Sequence, residues 1–283
     1  MMNVLITGAT GSFGTAFARY LLIQGCANKI VMYSRGEYRQ FEAAQELAPY
    51  DIKGQLRFLI GDVREVDRLK RAMHEVDVVV HAAALKRIEV GHYNPVEMVK
   101  TNVGGALNVI EAAQDAGVKK VVALSSDKAF EPVSPYGTSK ALAESLLLAA
   151  NNTTGWGGPR FSVCRYGNVW NSRGSVVPVW REMIANGATE IPVTDPDCTR
   201  FFMLMRQAVD LVMTTIETMP IKPAIPTLPA YRLGDLAEAM GVKMKVLGLP
   251  SWEKKHESMS AGNSSDLARR MTVRELQNEL TNC

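Results

Sequence analysis

Eight residues near the amino terminus, Thr7-Gly8-Ala9-Thr10-Gly11-Ser12-Phe13-Gly14, constrain the fold more than any other stretch. They follow the apolar run Val4-Leu5-Ile6 and lead directly into a helical pattern over residues 16–23. A strand that turns this sharply into a helix needs glycines where the backbone reverses and where it approaches another surface closely. The helix's first turn then offers N–H groups and the positive end of its dipole, a combination that favours a pyrophosphate. The spacing is Gly-x-x-Gly-x-x-Gly rather than Gly-x-Gly-x-x-Gly, and its place between strand and helix predicts a dinucleotide site. Gly8, Thr10, Gly11, Ser12, Phe13 and Gly14 are its candidate residues.

The rest of the chain repeats that strand-helix rhythm. Residues 3–7, 29–33, 55–60, 76–81, 120–124 and 161–166 read as strands, and several, such as Val78-Val79-Val80, are apolar throughout. Continuous apolar strands are covered by helices on both faces, so the expected fold is α/β, a doubly wound parallel sheet of Rossmann type. Val99, Val103, Ala106, Leu107, Ile110 and Ala113 mark one helical face, and Pro135 suits the first turn of a helix running to residue 151. After residue 170 the rhythm loosens, and Pro220, Pro223, Pro226 and Pro229 interrupt it. This divides the chain into a dinucleotide-binding part, residues 1–170, and a smaller substrate-side region, residues 171–283, partly interleaved with it. Within the latter, residues 233–240 read as a helix, 243–247 as a strand and the last twenty residues as a solvated helix.

Composition narrows the function classes. At 47% hydrophobic and 22% charged, the 283 residues supply a sizeable core, and a net charge of +3 is too small and diffuse to track nucleic acid. Cys26, Cys164, Cys198 and Cys283 are too scattered for a metal site or disulfide framework, as are His74, His81, His92 and His256. No metal is expected. With no signal-peptide pattern and no long apolar run, neither membrane insertion nor secretion is expected, and the chain reads as cytoplasmic with reduced thiols.

Chemistry-bearing residues collect where the strands end. Asp62-Val63 closes the third strand, and His81-Ala82-Ala83-Ala84 the fourth, with small side chains that let a flat ligand lie on the backbone. The second strand ends in Tyr33-Ser34-Arg35, a serine and guanidinium where NAD enzymes usually carry a carboxylate for the ribose 2′-hydroxyl. Ser34 and Arg35 suit a 2′-phosphate, so the expected cofactor is NADP. Tyr136 and Lys140 lie one helical turn apart on the helix that follows the fifth strand, shortly after Ser126. Such a pair recurs by chance in a chain with 8 tyrosines and 32 basic residues; its position at the sheet edge gives it meaning.

Together these features resemble the extended short-chain dehydrogenases/reductases over about residues 3–215. The stretch Leu124-Ser125-Ser126-Asp127-Lys128-Ala129 sharpens the match. So do Ser34-Arg35-Gly36-Glu37, Ala84-Leu85-Lys86, Asn94-Pro95, Thr101-Asn102-Val103, Arg165-Tyr166-Gly167-Asn168-Val169, the run from Ser172 to Pro178, and Thr199-Arg200-Phe201. This set resembles the C5-inverting UDP-N-acetylglucosamine 4,6-dehydratases of bacterial surface-sugar biosynthesis. The resemblance implies hydride transfer from sugar C4 to NADP, water elimination across C5 and C6, and return of the hydride to C6, giving a 6-deoxy-4-keto sugar. Tyr136 would be the C4 base, Lys140 the cation that lowers its pKa and binds the ribose, and Ser126 a hydrogen-bond partner of the same oxygen. Lys128 would be the C5 base and Asp127 the acid for the departing hydroxyl. Lys86 and Val169 join Asp62, Val63 and Ala82 as cofactor contacts, and Lys86, Asn168, Arg173, Ser175, Val176, Val177, Arg200 and Glu253 as substrate contacts. A nucleotide-sugar partner and a homo-oligomer are also implied. A 4-epimerase or reductase would need Tyr136 and Lys140 but not the Asp127-Lys128 pair, and an NADP-sensing binding protein would need none of the four.

One segment departs from the family. Where relatives read Arg-Pro-Gly-Glu-Lys-x-His-Glu, this chain has Pro250-Ser251-Trp252-Glu253-Lys254-Lys255-His256-Glu257. Proline brings neither the charge nor the N–H groups with which an arginine addresses an anionic nucleotide. Weaker pyrophosphate binding or a changed nucleotide preference is expected, with Trp252 either stacking on the base or packing, and Lys254 as a compensating cation.

Overall fold

Six short apolar segments pair as parallel strands: β1 (Met2–Thr7), β2 (Ala27–Ser34), β3 (Leu56–Ile60), β4 (Val78–His81), β5 (Lys120–Leu124) and β6 (Arg160–Cys164). The computed structural model describes residues 1–282, and the strands stand in the order β3-β2-β1-β4-β5-β6. All six expected strands form, with ends moved by no more than two residues. The order reverses between β1 and β4, which opens a crevice at their carboxyl ends. Thr7 pins it: its hydroxyl meets His81 Nδ1 at 2.8 Å and accepts from the Ala83 N–H at 3.2 Å.

The connecting helices are α1 (Ser12–Gln24), α2 (Glu37–Leu47), α3 (Val66–Ala72), α4 (Ile88–Tyr93), α5 (Pro95–Met98), α6 (Gly105–Asp115) and α7 (Pro135–Thr153). Val4, Ile6 and Val80 pack with Phe17 and Leu21 of α1 on one face of the sheet. Leu5, Val31, Val79 and Val121 pack with Val109 of α6 and Leu147 of α7 on the other. Burial on both faces is why these strands are apolar throughout. Of the helical face expected over residues 99–113, Val103, Ala106 and Ala113 are buried and Ile110 is half-buried, although residues Val99–Gly104 form a π-helical turn. Val99 and Leu107 end up exposed while Asn102, Val109 and Ala112 are buried, as the wider turn shifts the register.

Beyond β6 the chain forms α8 (Val176–Ala185), β7 (Glu190–Val193), β8 (Thr199–Phe201), α9 (Met205–Thr218), β9 (Ala230–Arg232), α10 (Leu233–Ala239), β10 (Lys243–Val246), β11 (Ser258–Ser260), β12 (Asn263–Ser264) and α11 (Val273–Thr281). Trp170, Trp180, Ile191, Phe202, Tyr231 and Leu236 build a separate core there. Helix α9 instead returns to the main sheet, where Ala208, Val209, Val212 and Ile216 join the core of α1. The proline-rich connection runs beside β6, with the Arg165 N–H bonded to Ala224 O at 2.9 Å and the Ala224 N–H to Val163 O at 2.8 Å. The last helix starts only at Val273, capped by Thr272 and Glu275, and it buries Leu276 rather than being solvated all round. Cys26, Cys164 and Cys198 are unpaired; Cys283 lies outside the described residues.

Candidate active site

The glycine turn between β1 and α1 has the shape of a phosphate cradle. Gly8 has φ +65°, and a β-carbon on it would lie 2.8 Å from the Ala83 backbone; one on Gly14 would lie 2.5 Å from Ala9 O. Only glycine fits either position. Among the described residues no side chain caps α1 at Gly11, so its first-turn donors face outward for an anion. Thr10 and Ser12 instead receive Arg173: its Nη1 donates to Thr10 O at 3.2 Å and its N–H to Ser12 Oγ at 3.0 Å. Lys86 Nζ donates to Arg173 O at 2.9 Å. Arg173, expected at the sugar nucleotide, and Lys86, expected at both the cofactor and the sugar nucleotide, thus stand over the cradle. The Phe13 ring packs on Phe17 at 5.5 Å, and Val63 is buried against Gly105.

Beyond the ends of β2 and β3, Arg35 Nη1 pairs with Asp62 Oδ2 at 3.4 Å and Arg64 Nη2 with the same oxygen at 2.7 Å. Burial alone would raise the Asp62 carboxyl, but bonds from Arg64 and the charge of Arg35 outweigh it and hold the group below its ordinary range. Ser34 is buried, its hydroxyl accepting from Gln40 Nε2 at 3.1 Å. The cradle and this donor set fit a dinucleotide.

The catalytic corner is built where β5 ends and α7 begins. Ser126 caps a turn of 3₁₀-helix, Asp127–Ala129, and donates to Asp127 Oδ1 at 2.8 Å. Ser134 caps α7 by accepting from the Gly137 N–H at 3.2 Å, with Pro135 in the first helical position. This brings Tyr136 beside Ser126 and Lys128. Burial raises the phenol above its ordinary range, and the Lys128 charge and a hydrogen bond with Ser126 offset only part of that rise. The ammonium that acts on Tyr136 is therefore Lys128 rather than Lys140. Lys140 Nζ turns to Leu124 O at 2.6 Å, and burial pulls its pKa down to about 8 against the opposing charge of Glu144. Asn102, on the π turn, ties this corner to the loop after β4, donating to Leu85 O at 2.9 Å and to Ser139 Oγ at 3.0 Å.

Lys128 sits between two buried carboxylates, with Nζ 3.3 Å from Asp127 Oδ1 and 3.2 Å from Glu257 Oε1. Glu257, which lies in the C-terminal segment but was not singled out from the sequence, is 1% exposed. Burial and the Glu257 charge raise the Asp127 carboxyl, partly offset by Lys128 and Ser126. Burial would raise Glu257 too, but Lys128, Arg200 and Lys254 together bring it below its ordinary value. Lys128 is disfavoured as a cation by burial, yet the two carboxylates hold its pKa above the usual lysine value.

The remaining expected residues include both substrate and cofactor contacts. Arg200 is buried, donating to Thr199 O and Lys255 O and paired with Glu253. Val177 is buried in the C-terminal core with Val176 packed beside it, and Ala82 and Val169 lie against the α1-side core. Trp252 packs on His92 with ring centroids 4.6 Å apart, and Lys254 Nζ is tied to Phe130 O at 2.6 Å. Among the described residues, Ser125 Oγ, Asp127 Oδ2, Asn168 Oδ1, Ser175 Oγ and Glu257 Oε2 are buried without a hydrogen-bond partner. Five such atoms at one sheet edge are what a polar ligand would satisfy.

The family model described as "Polysaccharide biosynthesis protein" matches residues 4–275. The chain belongs to this family. A family relative named UDP-N-acetylglucosamine 4,6-dehydratase (inverting), from Campylobacter jejuni, is 45% identical over 269 residues, 94% of this chain and 79% of the relative. A protein named UDP-glucose 4-epimerase, from Rickettsia prowazekii, is 38% identical over 277 residues, again 94% of this chain and 79% of the relative. The crystal structure of Pen from Bacillus thuringiensis superposes with a TM-score of 0.92 at 33% identity, covering 99% of this chain and 97% of that one. The dTDP-glucose 4,6-dehydratase DesIV of Streptomyces venezuelae, at 21% identity and TM-score 0.81, covers 99% of this chain and 96% of its own and shares the fold.

Proposed function

We propose that this chain is a C5-inverting UDP-N-acetylglucosamine 4,6-dehydratase working with NADP. The observation that carries the reading is Lys128, half-buried between two buried carboxylates and beside Tyr136, in a chain 45% identical to a protein of that name. A 4-epimerase needs Tyr136, Ser126 and Lys140 but leaves Asp127 and Lys128 without work.

In this reading Tyr136 Oη takes the proton of the C4 hydroxyl, helped by the adjacent Lys128 charge, while Ser126 Oγ holds the same oxygen. When bound, the nicotinamide would take a hydride from C4 and later return it to C6. Once C4 is a ketone the C5 proton is acidic, and Lys128 Nζ removes it. Asp127 protonates the C6 hydroxyl, which leaves as water. These roles need a neutral lysine and a protonated carboxyl, and one proton passing over the 3.3 Å from Nζ to Oδ1 supplies both. The Asp127 carboxyl, raised by burial, is suited to accept it. After elimination the lysine carries the C5 proton and Asp127 is a carboxylate again, so that pair is restored; the proton Tyr136 took from the C4 hydroxyl balances the one that C5 regains, on its opposite face, once C6 has its hydride.

Arg35 and Ser34 support NADP by offering a guanidinium and a hydroxyl at the 2′ position. Arg173 and Lys86 would face the cofactor's pyrophosphate, and Asn168, Ser175 and Arg200 the sugar nucleotide. Exposed apolar Val96, Val99, Leu107 and Leu142 lie on adjoining helices and support self-association there. Three unpaired cysteines fit a reducing cytoplasm, and among the described residues no helix is long and apolar enough to cross a membrane. The test is to mix the purified protein with NADP and UDP-N-acetylglucosamine and weigh the product. Loss of one water with inverted C5 supports the reading; an unchanged mass with inverted C4 makes the chain an epimerase; an untouched sugar removes both.

A further inference from the structure

Glu257 reaches the catalytic corner from far along the chain and is fixed there on all sides. Its N–H donates to Ser265 Oγ at 2.9 Å, and its carbonyl accepts from the Ser265 N–H at 2.7 Å. Ser265 Oγ meets Thr199 Oγ1 at 2.6 Å, and Thr199 Oγ1 meets His256 Nδ1 at 2.8 Å. This buried network ties the segment to β8 and so brings the Glu257 carboxylate beside Lys128. A carboxylate 1% exposed is costly to bury unless it is paired, and Lys128 Nζ at 3.2 Å supplies the pairing.

The surroundings distinguish it from Asp127. Glu257 faces three cations, Lys128, Arg200 and Lys254, the last with Nζ 3.7 Å from Oε2. Asp127 faces the cation Lys128 and the negative charge of Glu257, with Ser126 on Oδ1 and no hydrogen-bond partner on Oδ2 among the described residues. Tyr136 and Arg200 also face Lys128, and Tyr231 faces Lys128, Asp127 and Arg200. A proton leaving Lys128 therefore goes to Asp127. Glu257 keeps its charge because Arg200, itself paired with Glu253, and Lys254 remain beside it.

We infer that Glu257 is a positioning residue for the elimination: it holds Lys128 Nζ in place, stays ionised throughout, and directs the shared proton to Asp127. This rests on the dehydratase reading for its catalytic meaning. The persistent negative charge makes neutral Lys128 a stronger base at C5, and it discourages Asp127 from ionising before the hydroxyl departs. Glu257 does not touch the reacting atoms in this scheme; it acts through Lys128 and Asp127.

Two measurements on the intact protein test it, using Glu257→Gln and the charge-retaining Glu257→Asp. The first needs no substrate: acylation of Lys128 by a small reagent, followed by peptide mass spectrometry across pH, reads the neutral fraction of the lysine. In Glu257→Gln that reaction is expected about tenfold faster or more at a given pH, the change that one unit of lowered lysine pKa produces. Glu257→Asp is expected to stay near the wild type. The second is exchange of solvent deuterium into C5 of UDP-N-acetylglucosamine, which is expected to slow, its alkaline limb moving to lower pH, while oxidation at C4 keeps its rate. Unchanged Lys128 reactivity in Glu257→Gln overturns the inference, as does an equal slowing of both chemical steps. Should the Gln variant not fold, Lys128 reactivity in the Asp variant decides, with loss of the wild-type profile despite the retained charge overturning the charge assignment. Absence of dehydration by the wild type overturns the dehydratase reading instead, and the acylation profile still decides whether Glu257 governs Lys128.

Discussion

Gly137 lies so close beneath Lys128 that a β-carbon on it would come within 2.4 Å of the Lys128 carbonyl oxygen. The helix bearing Tyr136 and the turn bearing Asp127 and Lys128 are thus in backbone contact, and no side chain fits between them. Gly137→Ala should push the first turn of α7 away from that turn, costing roughly 1–3 kcal/mol of stability as overpacking does. Because small displacements of catalytic groups are costly, kcat should fall by about 100-fold. Thermal melting and steady-state kinetics measure both, and a variant with wild-type kcat would show that the contact does not set the catalytic geometry.

Two substitutions should separate the halves of the reaction. Tyr136→Phe removes the proposed base for C4, so turnover and deuterium exchange at C5 should both vanish while the dinucleotide still binds. Lys128→Ala keeps the Tyr136 hydroxyl, so oxidation at C4 should remain detectable as cofactor reduction, whereas deuterium should no longer enter C5. Normal deuterium entry in the Lys128 variant would assign the C5 base elsewhere.

His81 gives the fold an acid-sensitive point. It is buried against Thr7, and burial, aided by the charge of Lys140, pulls its pKa down to about 3. A base depressed in the folded state contributes stability above its unfolded pKa, near 6.5 for histidine, and loses it as pH falls towards the folded value. Between pH 7 and pH 5 the loss from this residue should reach about 2 kcal/mol. Urea midpoints at the two pH values should therefore differ more in the wild type than in His81→Asn. Parallel behaviour of the two proteins would mean that His81 is not the group responsible.

Much of this arrangement was legible in the sequence. The apolar runs located the strands because burial on both faces leaves no other composition, and Gly8 and Gly14 marked the cradle because their positions admit no side chain. Tyr136, Lys140, Asp127 and Lys128 were readable as a local cluster. Glu257 was not, since its place beside Lys128 depends on how Ser265 and Thr199 anchor a distant segment, and no local spacing records that. The same holds for Arg173, which reaches Thr10 and Ser12 from another part of the chain. Helix α9 is carried by the helical spacing of Ala208, Val209, Val212 and Ile216, a signal that the four prolines following it obscure.

Arg35 is the test of cofactor preference. Its side chain is half exposed and pairs loosely with Asp62, so its guanidinium remains available to a 2′-phosphate. Arg35→Ala should weaken NADP by roughly 1.5–3 kcal/mol, the usual worth of a hydrogen bond to a charged group, and leave NAD nearly unchanged. Titration of both dinucleotides into wild type and variant checks this. Equal wild-type affinities would show that Arg35 serves Asp62 rather than the cofactor.

The C-terminal segment bears on the nucleotide. Trp252 is packed on His92, so in this structure its ring is engaged by the protein. Lys254, the cation expected to replace the missing arginine, is tied to Phe130 O and faces Glu257, and Arg200 is paired with Glu253. All three side chains therefore have protein partners, and Pro250 brings no donor of its own. Affinity for the UDP pyrophosphate should accordingly be limited by a missing charge-assisted contact, and restoring it in Pro250→Arg should tighten UDP-N-acetylglucosamine by about tenfold or more. Calorimetric titration of wild type and variant with UDP, dTDP, GDP and CDP sugars measures the gain and its selectivity. Tightening confined to UDP sugars would place the new guanidinium beside a site already shaped for uridine. Equal gains for all four would mean a contact to pyrophosphate alone, and no gain would show that this segment does not address the nucleotide.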